Sequence, residues 1–215
     1  MARNPVRCTA TAVLAAVLSA AAVTGCTSSS PGADGDGKAA PEPKAVAGNA
    51  VTRGGSVGGS GSVCELPVAF DLAASWKPAA VRPVEDDALG ALNKQGPVTL
   101  VCEIDAKPAG NIGFLRVWTG AGTDRTPRQV LKAFLAADPN AGRASYTEVK
   151  AGALTAAEVG YTVSGALSSE PKKERAFAVA TPSGPVVVHL GGLDSQEHEE
   201  MLPAYELARR TVRLG

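Results

Sequence analysis

Aromatic side chains make up only 4% of this 215-residue chain, so a folded core has to be assembled chiefly from Ala, Val and Leu. A surplus of one charge is also missing, since 21 Lys and Arg face 21 Asp and Glu. A chain balanced in this way offers no electrostatic footprint for nucleic acid or for an anionic bilayer surface. Histidine occurs twice, at His189 and His198, which leaves few groups for general-base chemistry or metal binding. Cysteine occurs four times, too sparsely for a disulfide-built scaffold. Beyond the N-terminal region no apolar run is long enough to span a membrane.

What is present begins at that N-terminal region. Arg3 and Arg7 give a positive start, and residues 9–23 are apolar or small. That run of about 15 residues suits the core of a signal peptide and falls short of the ~20 that a spanning helix needs. Val23, Thr24 and Gly25 directly before Cys26 resemble the bacterial lipobox, in which the cysteine thiol takes a diacylglycerol thioether. Residues 1–25 therefore read as a lipoprotein signal peptide and Cys26 as the lipidation site. Two or three acyl chains at ~0.8 kcal/mol per buried methylene make a stable anchor. The expected location is the cell membrane, on its extracytoplasmic face, with the membrane engaged through Cys26. Cys8 leaves with the signal, so Cys64 and Cys102 are the one pair left, and outside the cytoplasm a pair is expected to be bonded. The loop they close is worth ~4 kcal/mol in the chain-entropy account. A metal site at that pair lacks neighbouring His or Cys ligands.

Residues 26–62 carry no periodic apolar pattern and are rich in Gly, Ser, Pro and Ala. They read as a flexible tether with an r.m.s. reach of roughly 30–36 Å, which places the start of the domain at Val63 and its extent at 63–215.

Within the domain, residues 98–105 alternate, with Val98, Leu100, Cys102 and Ile104 assigned to one face of a strand. Residues 112–118 form the next strand, after a turn at Lys107, Pro108 and Gly110. Thr126 followed by Pro127 and Gln129 has the chemistry of a capped helix start, and Val130, Leu131, Phe134 and Leu135 make its apolar stripe up to the stop at Asp138 and Pro139. Three extended stretches follow, near residues 145–149, 158–163 and 175–181. The last pairs with 186–190 as a hairpin through Pro182, Ser183 and Gly184. Asp194 with Glu197 marks a second helix start, and Met201, Tyr205, Ala208 and Val212 share one helical face. Pro203 either kinks that helix or opens it at the first helical position, and the second arrangement is preferred. This order predicts an α+β fold, a mainly antiparallel sheet flanked by two helices, as a single domain on a disordered tether.

Phe70-Asp71-Leu72 followed by Trp76-Lys77-Pro78, then strands, a helix, a long antiparallel run and a closing helix, resembles actinobacterial envelope lipoproteins of the LpqN type, whose fold is like that of PsbP. The resemblance spans residues 63–214. It implies a binding or accessory module rather than an enzyme, and it carries no catalytic residue over.

Candidates for chemistry fail on their own local terms. Ser169-Glu170-Pro171-Lys172 matches the S-x-x-K nucleophile pattern, but Pro171 and the charged run after it describe a hairpin loop, and the companion S-D-N and K-T-G motifs are absent from the sequence. Asp194 and His198 are one helical turn apart, yet no H-E-x-x-H accompanies them, and acidic residues in a helix's first turn follow from its dipole. Gly191-Gly192 reads as a tight strand-to-helix turn rather than an anion cradle. Trp76 and Trp118 read as core anchors, and His189 as a sheet-face histidine packed under a helix. The one place where a site is expected to assemble, if anywhere, is His189 with Glu197 and His198, at a strand end feeding a helix start. No catalytic residue, metal or cofactor is assigned. The expected function is a lipid-anchored envelope binding or interaction module, whose partner is an envelope protein or a small apolar ligand. The rivals are a small envelope hydrolase and a carrier of an apolar ligand.

Overall fold

The computed structural model describes residues 51–82, 90–165 and 170–215. All of them fall within one compact unit, Ala45–Gly215. The signal peptide, Cys26 and Ser169 lie outside the described residues.

Eleven strands and two α-helices are present among the described residues. The strands are β1 (Arg53–Val57), β2 (Val68–Ala73), β3 (Lys77–Ala80), β4 (Lys94–Gln95), β5 (Val98–Asp105), β6 (Phe114–Thr119), β7 (Ala141–Ala151), β8 (Leu154–Val163), β9 (Lys172–Thr181), β10 (Gly184–Gly191) and β11 (Arg213–Leu214). The helices are α1 (Pro127–Ala136) and α2 (Ser195–Arg210). The main sheet runs β3-β5-β6-β10-β9-β8-β7, with β4 beside β3 on the same edge of β5, and a small sheet runs β1-β2-β11. Every pairing between these strands is antiparallel. The expected α+β architecture is the one observed.

The alternation of side chains along β9 and β10 separates two cores. Phe177, Val179, Val186, Val188 and Leu190 pack with β2 and with Met201, Tyr205 and Ala208 of α2. Ala176, Ala178 and Val187 pack with Val130, Leu131, Phe134 and Leu135 of α1. The helices thus cover opposite faces of the sheet. On its own face α1 packs chiefly against β7, β8, β9 and β10, and it reaches β6 through Phe134 against Trp118.

Helix α1 starts as the sequence predicts: Gln129 N donates to Thr126 Oγ1 at 3.3 Å, and Thr126 N donates to Gln129 Oε1 at 2.8 Å. Helix α2 is capped by Asp194, whose Oδ1 accepts from Glu197 N at 2.8 Å. Pro203 lies inside α2 and does not begin it. The carbonyl that Pro203 leaves without an amide donor belongs to Glu199, an exposed residue, while Met201, Ala204 and Tyr205 around the proline are buried. Solvation on one side and packing on the other hold the helix continuous.

Two further expectations are corrected. The tether does not extend to Ser62, because Arg53–Val57 is a strand paired with β2 and Val57 is 1% exposed. The domain therefore begins before Val63. Strand β5 does not keep one apolar face, because the register with β6 shifts between Leu100 and Cys102. One extra residue reverses the faces beyond it: Val98 and Leu100 belong to the α1 core, Cys102 and Ile104 to the α2 core. Ile112 lies before β6 and is 54% exposed. Cys64 and Cys102 are bonded, as expected, closing a separation of 38 residues.

Candidate functional site

On the α1 face, the strand ladder brings together four polar side chains from the three adjacent strands β8, β9 and β10. Tyr161 is the cross-strand partner of Glu174, and its hydroxyl donates to Glu174 Oε2 at 3.1 Å. His189 Nε2 lies 2.8 Å from the same oxygen. Lys172 Nζ reaches Glu174 Oε1 at 2.9 Å and donates to Gly192 O at 2.7 Å. Burial alone pushes the Glu174 carboxyl up, but the imidazole of His189 and the ammonium of Lys172 outweigh it and hold the group down at about 2. Glu174 is therefore a carboxylate, an acceptor only, and His189 Nε2 must donate its hydrogen to it. Burial, and next the negative charge and hydrogen bond of Glu174, raise the Tyr161 phenol above its ordinary range.

This network abuts a cleft of about 360 Å3 lined by Leu92, Leu100, Glu103, Arg116, Trp118 and His189, among others. The cleft follows from the incomplete coverage by α1. The segment leading into β4 lines part of the gap with Leu92 and Asn93, and β4 itself is tied to α1 where Gln95 Nε2 donates to Phe134 O at 3.2 Å. Arg116 Nε donates to Glu103 Oε1 at 2.7 Å across the β5–β6 pair. Trp118 and His189, each 6% exposed, both stand against the Phe134 ring, with centroids 5.4 and 5.9 Å away.

His189 is thus a sheet-face histidine under a helix, as expected, but it does not meet His198 or Glu197. His198 sits on α2, at the opposite face. It lines a second cleft of about 240 Å3 with Lys173, Arg175 and Glu199, and Tyr161 and Glu174 of the network reach the same cleft without bonding to the histidine. Burial, followed by the positive charge of Arg175, pushes its imidazole down to about 4. The Glu197 carboxylate accepts from the backbone amides of Leu193, Ile112 and Gly113 and so ties the β10–α2 turn to the approach to β6. Among the described residues no group of three or more His, Cys, Asp or Glu is placed to hold a metal ion. Also among the described residues, no helix is long and apolar enough to cross a membrane.

Sequence reasoning did not single out Glu174 or Tyr161, and it met Lys172 only as the lysine of the rejected S-x-x-K pattern. The available signal was register: Glu174 continues the row of Ala176 and Ala178, so an acidic residue falls in line with an inward-facing set. Trp76 is a core residue of the α2 side, and Trp118 is both core and cleft wall.

The sequence model of a family described as "uncharacterised lipoprotein" matches residues 34–212. Comparison with curated proteins finds no match. Among solved structures, the solution structure of cyanobacterial PsbP (CyanoP) from Synechocystis sp. PCC 6803 is similar over 75% of this chain and 98% of that one, with 11% identity and a TM-score of 0.48.

Proposed function

Since the chain belongs to this lipoprotein family, we propose that it is anchored through an acylated Cys26 at the extracytoplasmic face of the cell membrane, where its domain serves as a non-catalytic binding module. The observation that carries the reading is the family match over most of the chain, taken together with the Val23 to Cys26 lipobox. The element order that resembles lipoproteins of the LpqN type supports the same assignment. Several features favour a binding module over an apolar carrier. The layers between the sheet and each helix are filled by buried side chains. The space that remains is an open cleft with mixed lining, where the Glu103–Arg116 ion pair offers hydrogen bonds to a partner.

Metabolic labelling with an alkyne fatty acid, followed by fractionation, tests the anchor. Wild-type protein should carry label, sediment with membranes and be digested by protease added to intact spheroplasts. The Cys26→Ser variant should carry no label and keep its signal peptide. Soluble, unlabelled mature wild-type protein overturns the reading.

A further inference from the structure

Ile112 and Leu193, 54% and 61% exposed, are large apolar residues on two neighbouring loops. Ile112 precedes β6 and Leu193 follows β10, and these strands pair through Phe114 and Gly191. The Glu197 carboxylate holds the two loops together: one oxygen accepts from the amides of Ile112 and Gly113, the other from the amide of Leu193. Two further carboxylates of this end are likewise engaged by backbone, Asp194 by the amide of Glu197 and Asp105 by the amide of Lys107. Lys107 itself, in the loop that carries Ile112, is exposed. An ammonium on a long stem beside apolar tips suits a boundary between water and hydrocarbon, where the stem is covered and the charge stays wet.

The chain enters the domain at this same end. Lys77 at the start of β3 pairs with Asp105 at the end of β5, and the next residue, Ala106, donates its amide hydrogen to Gly113 O at 3.1 Å. Just before β3, Ala74 N donates to Thr52 O at 2.7 Å, so residues 51–53 come in beside the turn between β2 and β3. Val51 is the 25th residue after Cys26, a stretch that spans at most about 90 Å. A lipid at Cys26 therefore draws this end towards the bilayer. Two apolar side chains are too few to hold a free domain on a membrane, but a short covalent link raises the effective concentration of the surface they meet. Leu214, 49% exposed, is at the other end, where β11 pairs with Val68 at the start of β2.

We propose that the loops at Ile112 and Leu193 dock into the headgroup and acyl boundary of the bilayer that carries the Cys26 lipid, so that the domain stands on the membrane by the end at which its tether joins. The proposal rests on the reading of Cys26 as the anchor and adds the orientation of the anchored domain.

The test uses the mature chain, residues 26–215, coupled through the Cys26 thiol to a maleimide lipid in phosphatidylcholine vesicles, with p-benzoylphenylalanine in place of Ile112, Leu193 or Leu214. Irradiation followed by mass analysis should give lipid adducts at positions 112 and 193 in at least about fivefold excess over position 214. Leu193→Asp should cut the lipid adduct at position 112 at least about threefold. Equal adducts at the three positions, none at 112 and 193, or adducts between two copies of the chain in place of lipid overturn the proposal. Since the coupled lipid supplies the anchor in this experiment, such a failure leaves acylation of Cys26 in cells to be decided by the labelling experiment.

Discussion

His198 and Glu174 make the stability of this domain depend on acidity in two separable ways. His198 is 2% exposed, and its imidazole is held down to about 4 by burial and by Arg175. A base with a lowered folded pKa stabilises the fold above its unfolded value, near 6.5, and loses that contribution as pH falls towards 4. The loss is roughly 3 kcal/mol. Glu174, held down at about 2 by His189 and Lys172 against the effect of burial, contributes above its unfolded value near 4.5 and loses a similar roughly 3 kcal/mol as pH falls from there to 2. Urea unfolding at a series of pH values should therefore show an upper limb between pH 6.5 and 4 that flattens in His198→Gln. The limb below pH 4.5 should flatten in Glu174→Gln alone. Identical slopes in wild type and His198→Gln would remove the buried neutral histidine from the account.

At the level of elements, β1 shows glycine acting through close approach rather than through flexibility. A Cβ at Gly54 would lie 2.5 Å from Ala74 Cα, and one at Gly58, where φ is +94°, would lie 1.9 Å from Val68 O. These residues let β1 and the turn after it press against β2, whose six residues are all buried. Arg53 Nη2 then reaches the buried Asp71 at 2.6 Å. A chain starting at Val63 forfeits the burial of Val57, the Arg53–Asp71 pair and the outer edge of β2. It should be less stable than a chain starting at Val51 by about 2–4 kcal/mol, measured by chemical denaturation of the two. Equal stabilities would show that β1 is an ornament of the small sheet and not part of the domain.

For the whole molecule, the Cys64–Cys102 bond joins the loop before β2, at the small sheet, to β5 of the main sheet. It ties together two layers that otherwise meet through side-chain packing. Closing a separation of 38 residues should stabilise the fold by ~4 kcal/mol in the chain-entropy account. Neither thiol should be alkylated in the folded, unreduced protein, and the Cys64→Ala/Cys102→Ala variant should unfold at lower denaturant by that amount. Ready labelling of both thiols would refute the bond. The sequence by itself determined the elements whose signals are local: the Thr126 and Asp194 caps, the hairpin at Pro182 and Ser183, and the α+β order, because each depends on residues a few positions apart. It also determined the cysteine pair, by elimination. Tertiary structure alone decided three things. Strand order gathered Tyr161, Lys172, Glu174 and His189 on one face while sending His198 to the other. The bulge between Leu100 and Cys102 divided β5 between two cores, since a single inserted residue reverses every side chain beyond it. The glycines of residues 54–58 became a strand because their lack of a side chain is the same whether it serves freedom or contact, and only the presence of β2 at van der Waals distance selects contact.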